Sequence, residues 1–211
     1  MSKIIVFGAG GRAGRAAVQD ALRRGHQVTA VVRDPAKHGD LSADGVLIVA
    51  GDVTDVNRVA QLAEGHDAAI GAAVDLSTQP DVFFAGAARA LLDGLTRAGV
   101  GRLVVVGLAS VLETASGALL MDTSGYPQEY RSFYLGHAAG MEVLRAATTA
   151  LDWLVLSPAG DFDHGGARTG RYRTAPAEAA SRISYADFAI ALLDEIDTPE
   201  HHRVHLGVEE G

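Results

Sequence analysis

The sequence predicts an α/β fold in one domain: a doubly wound parallel sheet between two layers of helices, three layers (α/β/α) in all. Three observations predict it. Short apolar runs recur along the 211-residue chain, with helical patterns between them. The runs are apolar throughout instead of alternating with polar residues, as in strands buried on both faces. The first run is closed by a glycine cluster that opens directly into a helix, the start of a βαβ unit.

Ile4, Ile5, Val6 and Phe7 form the first strand, and a helix follows over residues 12–24. Residues 27–32 are the second strand, stopped at Arg33-Asp34-Pro35, where proline lacks the amide that a ladder needs. Residues 46–50 read as a third buried strand, and Thr54 or Asp55 caps a helix running to residue 63. Residues 67–73 hold the fourth strand and its exit. A helix rich in alanine and leucine spans 81–98 and is ended by Gly99 and Gly101. Residues 102–107, the most apolar run, are the fifth strand. Residues 113–128 break the alternation and read as a long loop, a lid beside the active face. A helix at 129–150 leads into a sixth strand at 153–156, which ends in Ser157-Pro158-Ala159-Gly160. An irregular stretch at 161–173, a Ser184–Asp187 capping box, a helix at 188–196 and a short strand at 203–208 complete the chain. Residues 158–211 are expected to supply a small substrate-side region of the single 1–211 domain.

Composition excludes several function classes. A net charge of −8 argues against nucleic acid and anionic membrane as partners. There is no cysteine, which removes thiol and disulfide chemistry. Met1-Ser2-Lys3 leads straight into the first strand and leaves no room for a signal peptide, and no run is long enough to span a membrane. A cytoplasmic protein is expected, monomer or homodimer, acting on a small molecule. His201-His202 and His205 raise the question of a metal site, but on a loop and short strand they read as solvated or as a subunit contact, and no metal is expected.

The glycines point to a ligand. Gly8-x-Gly10-x-x-Ala13 and Gly8-x-x-Gly11-x-x-Gly14 both match dinucleotide fingerprints that follow a strand and open a helix. Gly8 makes the sharp turn, Gly10 and Gly11 let a pyrophosphate approach the backbone, and Gly14 lets helix and strand pack closely. In a Rossmann-type sheet the end of the second strand meets the adenosine ribose. Arg33 stands there, and Arg12 lies inside the glycine loop. Two arginines converging on a 2′-phosphate favour NADP(H) over NAD(H); Asp34 is the opposing signal, since a carboxylate there accepts from a ribose hydroxyl. Arg33 also reads as a surface partner of Asp34 or Asp40. Asp52 and Val53 are placed to meet adenine, with a plain helix cap as the other reading of Asp52. Ala72, Ala73 and Val74 are small enough to border the ribose and nicotinamide.

The glycine loop, Val32-Arg33-Asp34-Pro35, Gly51-Asp52-Val53-Thr54-Asp55 and Val106-Gly107-Leu108-Ala109-Ser110 together resemble the atypical short-chain dehydrogenase/reductase superfamily. The likeness is to its small NAD(P)H-binding, NAD-dependent epimerase/dehydratase-like members, a group that includes biliverdin reductase B-like flavin reductases and NmrA-like sensors. Leu156-Ser157-Pro158-Ala159 and Arg182-Ile183-Ser184 extend the resemblance into the tail. The resemblance implies a reductase or a redox sensor, with Ala109, Ser110, Pro158 and Ala159 bordering the nicotinamide. It also implies a serine and a Tyr-x-x-x-Lys pair, whose lysine lowers the tyrosine pKa. Ser110 takes the serine place, but Tyr134 is followed at plus four by Ala138, and the only lysines are Lys3 and Lys37. A standard alcohol dehydrogenase or epimerase mechanism is therefore not expected. The remaining candidates for substrate contact or proton donation are Ser110, Tyr134 and His137, with Tyr134 and His137 sharing one helix face, and then Tyr130, Asp161, Asp163 and His164. The expectation is hydride transfer from NADPH to a small electron-poor acceptor such as a flavin or quinone. The competing expectation is a non-catalytic sensor.

Overall fold

Along β1 (Lys3–Phe7), Ile5 and Phe7 point to one face of the sheet and Ile4 and Val6 to the other, and all four are fully buried. That split runs through the molecule. The computed structural model describes all 211 residues. The main sheet adds β2 (Gln27–Val32), β3 (Val46–Ala50), β4 (Ala68–Gly71), β5 (Arg102–Val106) and β6 (Asp152–Pro158). Three short strands follow, β7 (Asp161–Asp163), β8 (Tyr172–Thr174) and β9 (Arg182–Ser184), and then β10 (Val204–Glu210). The order is β3-β2-β1-β4-β5-β6-β10-β8; every pairing is parallel except β8, which runs antiparallel to β10 at the edge. β7 and β9 form a separate parallel pair.

Helices α2 (Val56–Ala63), α3 (Pro80–Ala98) and α4 (Arg131–Arg145) cover the Ile5/Phe7 face, through Val59, Leu91, Leu95, Met141 and Leu144. Helices α1 (Arg12–Arg23) and α5 (Tyr185–Asp197) cover the other face, through Ala17, Val18, Ala21, Phe188, Leu192 and Leu193. The helix ends follow local chemistry. Asp55 caps α2 by accepting from the Asn57 and Arg58 amides, Pro80 opens α3, and Gly99 closes α3 in the left-handed region at φ 74°.

Several expectations are corrected. β3 is an edge strand and is only partly buried, with Leu47 61% exposed. α4 ends at Arg145, not at 150, because Thr149 Oγ1 accepts from the Leu151 amide and turns the chain toward β6. α5 begins at Tyr185, since Ser184 is itself the N-cap and accepts from the Asp187 amide. Residues 161–173 are not all irregular, because they contain β7 and the start of β8. The 113–128 segment is no free lid: Leu120 and Met121 are buried, Gln128 Nε2 and Arg131 Nη1 both donate to the Met121 carbonyl, and the Leu120 amide donates to Leu112.

Buried charge locks the lower edge of the sheet. Arg102, at the start of β5, donates to Asp152 at 2.7 Å, to Glu195 Oε2 at 2.9 Å and to the Glu195 and His201 carbonyls. His201 and His202 join this cluster through Glu195 and Asp152, whereas His205 points elsewhere and pairs with Ser157, so the three histidines do not converge. Replacing Arg102 leaves Glu195 buried beside an empty position, so Arg102→Met is expected to cost about 3 kcal/mol. Arg145→Ala, which removes an exposed pair with Glu142, should cost no more than about 1 kcal/mol. Urea denaturation midpoints of the two variants check this contrast.

Candidate functional site

A cleft of about 530 Å³ opens over the carboxyl ends of β1 to β4, where ligands enter open α/β sheets. Its floor is the glycine loop. Gly8 has φ 81°, and a Cβ on it would stand 2.5 Å from the Ala73 backbone. At Gly14 a Cβ would run into the Gly8 carbonyl oxygen and lie 2.9 Å from Ala9 Cα. These positions need glycine for close approach of backbone to backbone.

The N-terminus of α1 is built for an anion. Its N-cap is Gly11, which provides no side-chain cap, and its first turn holds no acidic residue. The first amides of α1 are thus left without the usual carboxylate or hydroxyl partner, at the positive end of the helix dipole. The donor set fits a pyrophosphate.

Around the floor, the cleft is lined by Gly10, Gly11, Arg33, His38, Asp52, Val53, Ala72, Ala73 and Val74, with Asp75, Thr78, Val82 and Phe83 on the far side. The expected adenosine-side residues are therefore gathered in one place. Asp52 turns one oxygen onto Thr54, accepting from its amide at 2.9 Å and from its hydroxyl at 2.7 Å, while Asp55 takes the cap of α2. Arg33 lies at the rim, 3.3 Å from Asp75. The Asp75 carboxyl is held well below the usual carboxylate range by the Ser77 hydroxyl and amide, the Thr78 hydroxyl and Arg33. Asp34 faces away: its Oδ1 accepts from the Ala36 amide and its Oδ2 pairs with Lys37.

Two arginines do not converge as expected. Arg12 crosses to the β7 turn and donates to His164 Nδ1 at 2.6 Å, with the Tyr185 hydroxyl 3.3 Å from the same nitrogen. Arg12 therefore tethers the 161–166 segment and leaves Arg33 as the arginine lining the cleft.

The expected nicotinamide and catalytic residues lie deeper. Ala109, Ser110, Pro158 and Ala159 are buried and do not line the cleft. Ser110 Oγ is fully buried without a hydrogen-bond partner. Tyr134 is buried among Val111 and Met121, with its ring 5.4 Å from that of Tyr126. Burial raises its phenol pKa, and burial with Tyr134 as neighbour pushes Tyr126 up to about 12. His137 is packed between Phe84 and Phe133 at ring distances of 3.8 Å and 5.0 Å, and burial, then His205, lowers its pKa to about 3. It lines an apolar slot of about 50 Å³ between sheet and helices. Tyr134 and His137 have different main neighbours, with Phe133 beside both, and none of the three lines the open cleft. Asp161 is exposed, and Asp163 accepts from the Gly165 amide, shaping the turn that carries His164.

Sequence reasoning missed His38 and Arg15. Arg15 binds the Gly10 carbonyl, the His38 ring and Asp40, drawing the segment after β2 against the glycine loop. Arg15 could have been found one helical turn into α1 on the side facing the loop; no pattern in the 37–40 segment marks His38.

Comparison with known proteins agrees with this geometry. The sequence profile of a family described as NAD(P)H-binding matches residues 8–199. A Bacillus subtilis (strain 168) protein of uncharacterised function, YwnB, is 37% identical over 207 residues, 94% of each chain. A solved structure from Bacteroides thetaiotaomicron, provisionally named an epimerase, is 32% identical, with a TM-score of 0.87 over 99% of this chain and 97% of that one. Another, from Streptococcus pneumoniae TIGR4 and provisionally named an NADH-flavin reductase, is 30% identical, with a TM-score of 0.84 over 100% of both chains.

Two outcomes follow from this packing. Gly14→Ala should displace the glycine loop and abolish nucleotide binding by calorimetry, with a stability loss of at least about 1 kcal/mol. The folded chain also refuses protons at His137 and at His205, whose pKa burial and Arg145 lower to about 4. The unfolded chain takes them up below the ordinary histidine pKa of about 6.5. Stability should therefore fall as pH drops from about 6.5 toward 4. A melting-temperature series should show that slope, and His137→Phe, which keeps the aromatic packing, should flatten it.

Proposed function

Because the chain belongs to the NAD(P)H-binding family, we propose that it is a reductase that uses NADPH in preference to NADH and passes reducing equivalents to a small electron-poor acceptor such as a flavin or quinone. The observation that carries the cofactor preference is the opposite disposition of two neighbours. Arg33 faces the cleft, while Asp34 is consumed by its own turn and by Lys37. A ribose 2′-phosphate gains a guanidinium there, and a bare 2′-hydroxyl loses the carboxylate it would need.

When bound, the nicotinamide supplies the hydride. The residues of this chain bind and orient. Gly11 and the first amides of α1 hold the pyrophosphate, Arg33 the 2′-phosphate, and Asp52 and Val53 the adenine; Ala72, Ala73 and Val74 leave room for the ribose. Gly10 is covered by the His38 ring. Residues 158–211 would form the acceptor side, with the Arg12–His164 contact at its border. The partner is a small molecule, since a net charge of −8 disfavours polyanions, and the cytoplasm, where reduced nicotinamide is maintained, is the proposed location. No helix is long and apolar enough to cross a membrane.

Two features favour a second reading, a non-catalytic redox sensor of NmrA-like type: Ala138 stands where a catalytic lysine would, and Tyr134 is buried. Titration with NADPH and NADH, beside Arg33→Ala, tests the first reading. Wild type should bind NADPH at least about tenfold more tightly, and the mutant should lose that margin. Oxidation of NADPH in the presence of flavin or quinone then supports the reductase; tight binding without turnover of any acceptor supports the sensor.

A further inference from the structure

His38 stands out because the proposed chemistry has not used it, yet a hydrogen bond with Arg15 and close packing over Gly10 hold it in the lining of the cleft. Its ring lies directly over Gly10: a Cβ there would stand 2.5 Å from His38 Cε1 and 2.7 Å from Nε2. The imidazole thus occupies the space that a side chain in the middle of the glycine loop would fill. Arg15 Nη2 lies 3.0 Å from His38 Nδ1. Arg15 is itself held in place, its Nε donating to the Gly10 carbonyl at 2.9 Å and its outer nitrogens pairing with Asp40.

The direction of that hydrogen bond decides the chemistry of the ring. A guanidinium has donors only, so Nδ1 must be the acceptor and carry no proton. The neutral ring then holds its hydrogen on Nε2. The result is an N–H donor held beside Gly10, in the cleft that Arg33 also lines. No acidic side chain competes from the end of β2, because Asp34 is engaged by Ala36 and Lys37.

We propose that His38 is a specificity-determining residue for the 2′-phosphate of the adenosine ribose, donating from Nε2–H in a tautomer set by Arg15. This rests on the NADPH reading above and deepens it. Arg33 supplies charge from an exposed side chain, 66% accessible and paired with Asp75. His38 supplies direction, since its ring is clamped between Arg15 and the loop. A phosphate oxygen can accept from it, whereas a ribose lacking the phosphate has no group of matching reach and charge.

The test uses nucleotide fragments, so that binding is read without turnover. Calorimetric affinities for 2′,5′-ADP and 5′-AMP are measured on the full chain, for wild type, His38→Ala and His38→Gln. Glutamine keeps an N–H donor at a similar reach. Wild type should prefer 2′,5′-ADP. His38→Ala should weaken 2′,5′-ADP about tenfold while leaving 5′-AMP unchanged, and His38→Gln should recover most of the loss. Equal weakening of both nucleotides in His38→Ala would make the ring a support for the glycine loop and overturn the proposal. An unchanged 2′,5′-ADP affinity would overturn it as well, while leaving Arg33 and the NADPH reading intact. A wild type that binds the two fragments equally would remove the NADPH reading first.

Discussion

The backbone of Gly8 passes so close to that of Ala73 that no side chain fits between them, and the cleft depends on that passage. It brings the exit of β1 against the exit of β4, the point at which the strand order reverses. It also aims α1 so that Gly14 rests on the Gly8 carbonyl and the Ala9 backbone. With the helix held there, its uncapped first turn becomes the floor of the cleft. A larger residue at either glycine would move the helix and the floor together. The fully buried Ile4, Ile5, Val6 and Phe7 beneath it make the loop's base stiff.

This arrangement was legible because it is local. A continuous apolar run, a glycine cluster and a helical period lie within the first 24 residues, and each signal constrains the next. The parallel pairing, with helices on both faces, followed from the same βαβ logic. What the sequence hid depends on contacts between distant segments. The run Val46-Leu47-Ile48-Val49-Ala50 looks as apolar as a central strand, and only its place at the sheet's edge exposes Leu47. Ser110 ends an apolar strand as a catalytic serine would, but the 3₁₀ turn of residues 109–111 carries it into the interior. Arg12 sits in the glycine loop as a phosphate ligand would, yet it finds His164, far along the chain. His38 has no periodic context, and it becomes part of the cleft only because Arg15 draws its segment onto the loop.

The 161–174 segment is held differently from the strands at the centre of the sheet. Its short strands contribute little apolar surface, and charged groups do much of the fastening. Asp20, 1% exposed on α1, accepts from Arg24 and from Arg168 in the loop before β8. Asp187, equally buried at the start of α5, accepts from the amides of Thr169 and Gly170 and from the Thr169 and Ser184 hydroxyls. These hydrogen bonds keep its carboxyl below the ordinary range although burial alone would raise it. Such anchors specify position, since a carboxylate taken out of water is tolerated only where every donor is in place. They fix the 161–174 segment beside the glycine loop, at the side of the cleft assigned to the acceptor.

The same physics limits the chemistry available at that side. A tyrosine that gives up its proton at neutral pH needs a nearby positive charge, and Tyr134 has a second phenol, Tyr126, and apolar neighbours instead. Burial raises both hydroxyls, away from the range in which an acid is useful. His137, the other titratable group on this stretch of α4, is held uncharged between two phenylalanines. A carbonyl substrate, which needs a proton delivered as its oxygen becomes negative, would be poorly served. An acceptor that spreads the incoming charge over a conjugated ring makes no such demand and can take its proton from water. For that class, orientation and shielding from solvent supply most of the rate, and under the reductase reading proposed above the glycine loop and the anchored tail would supply them.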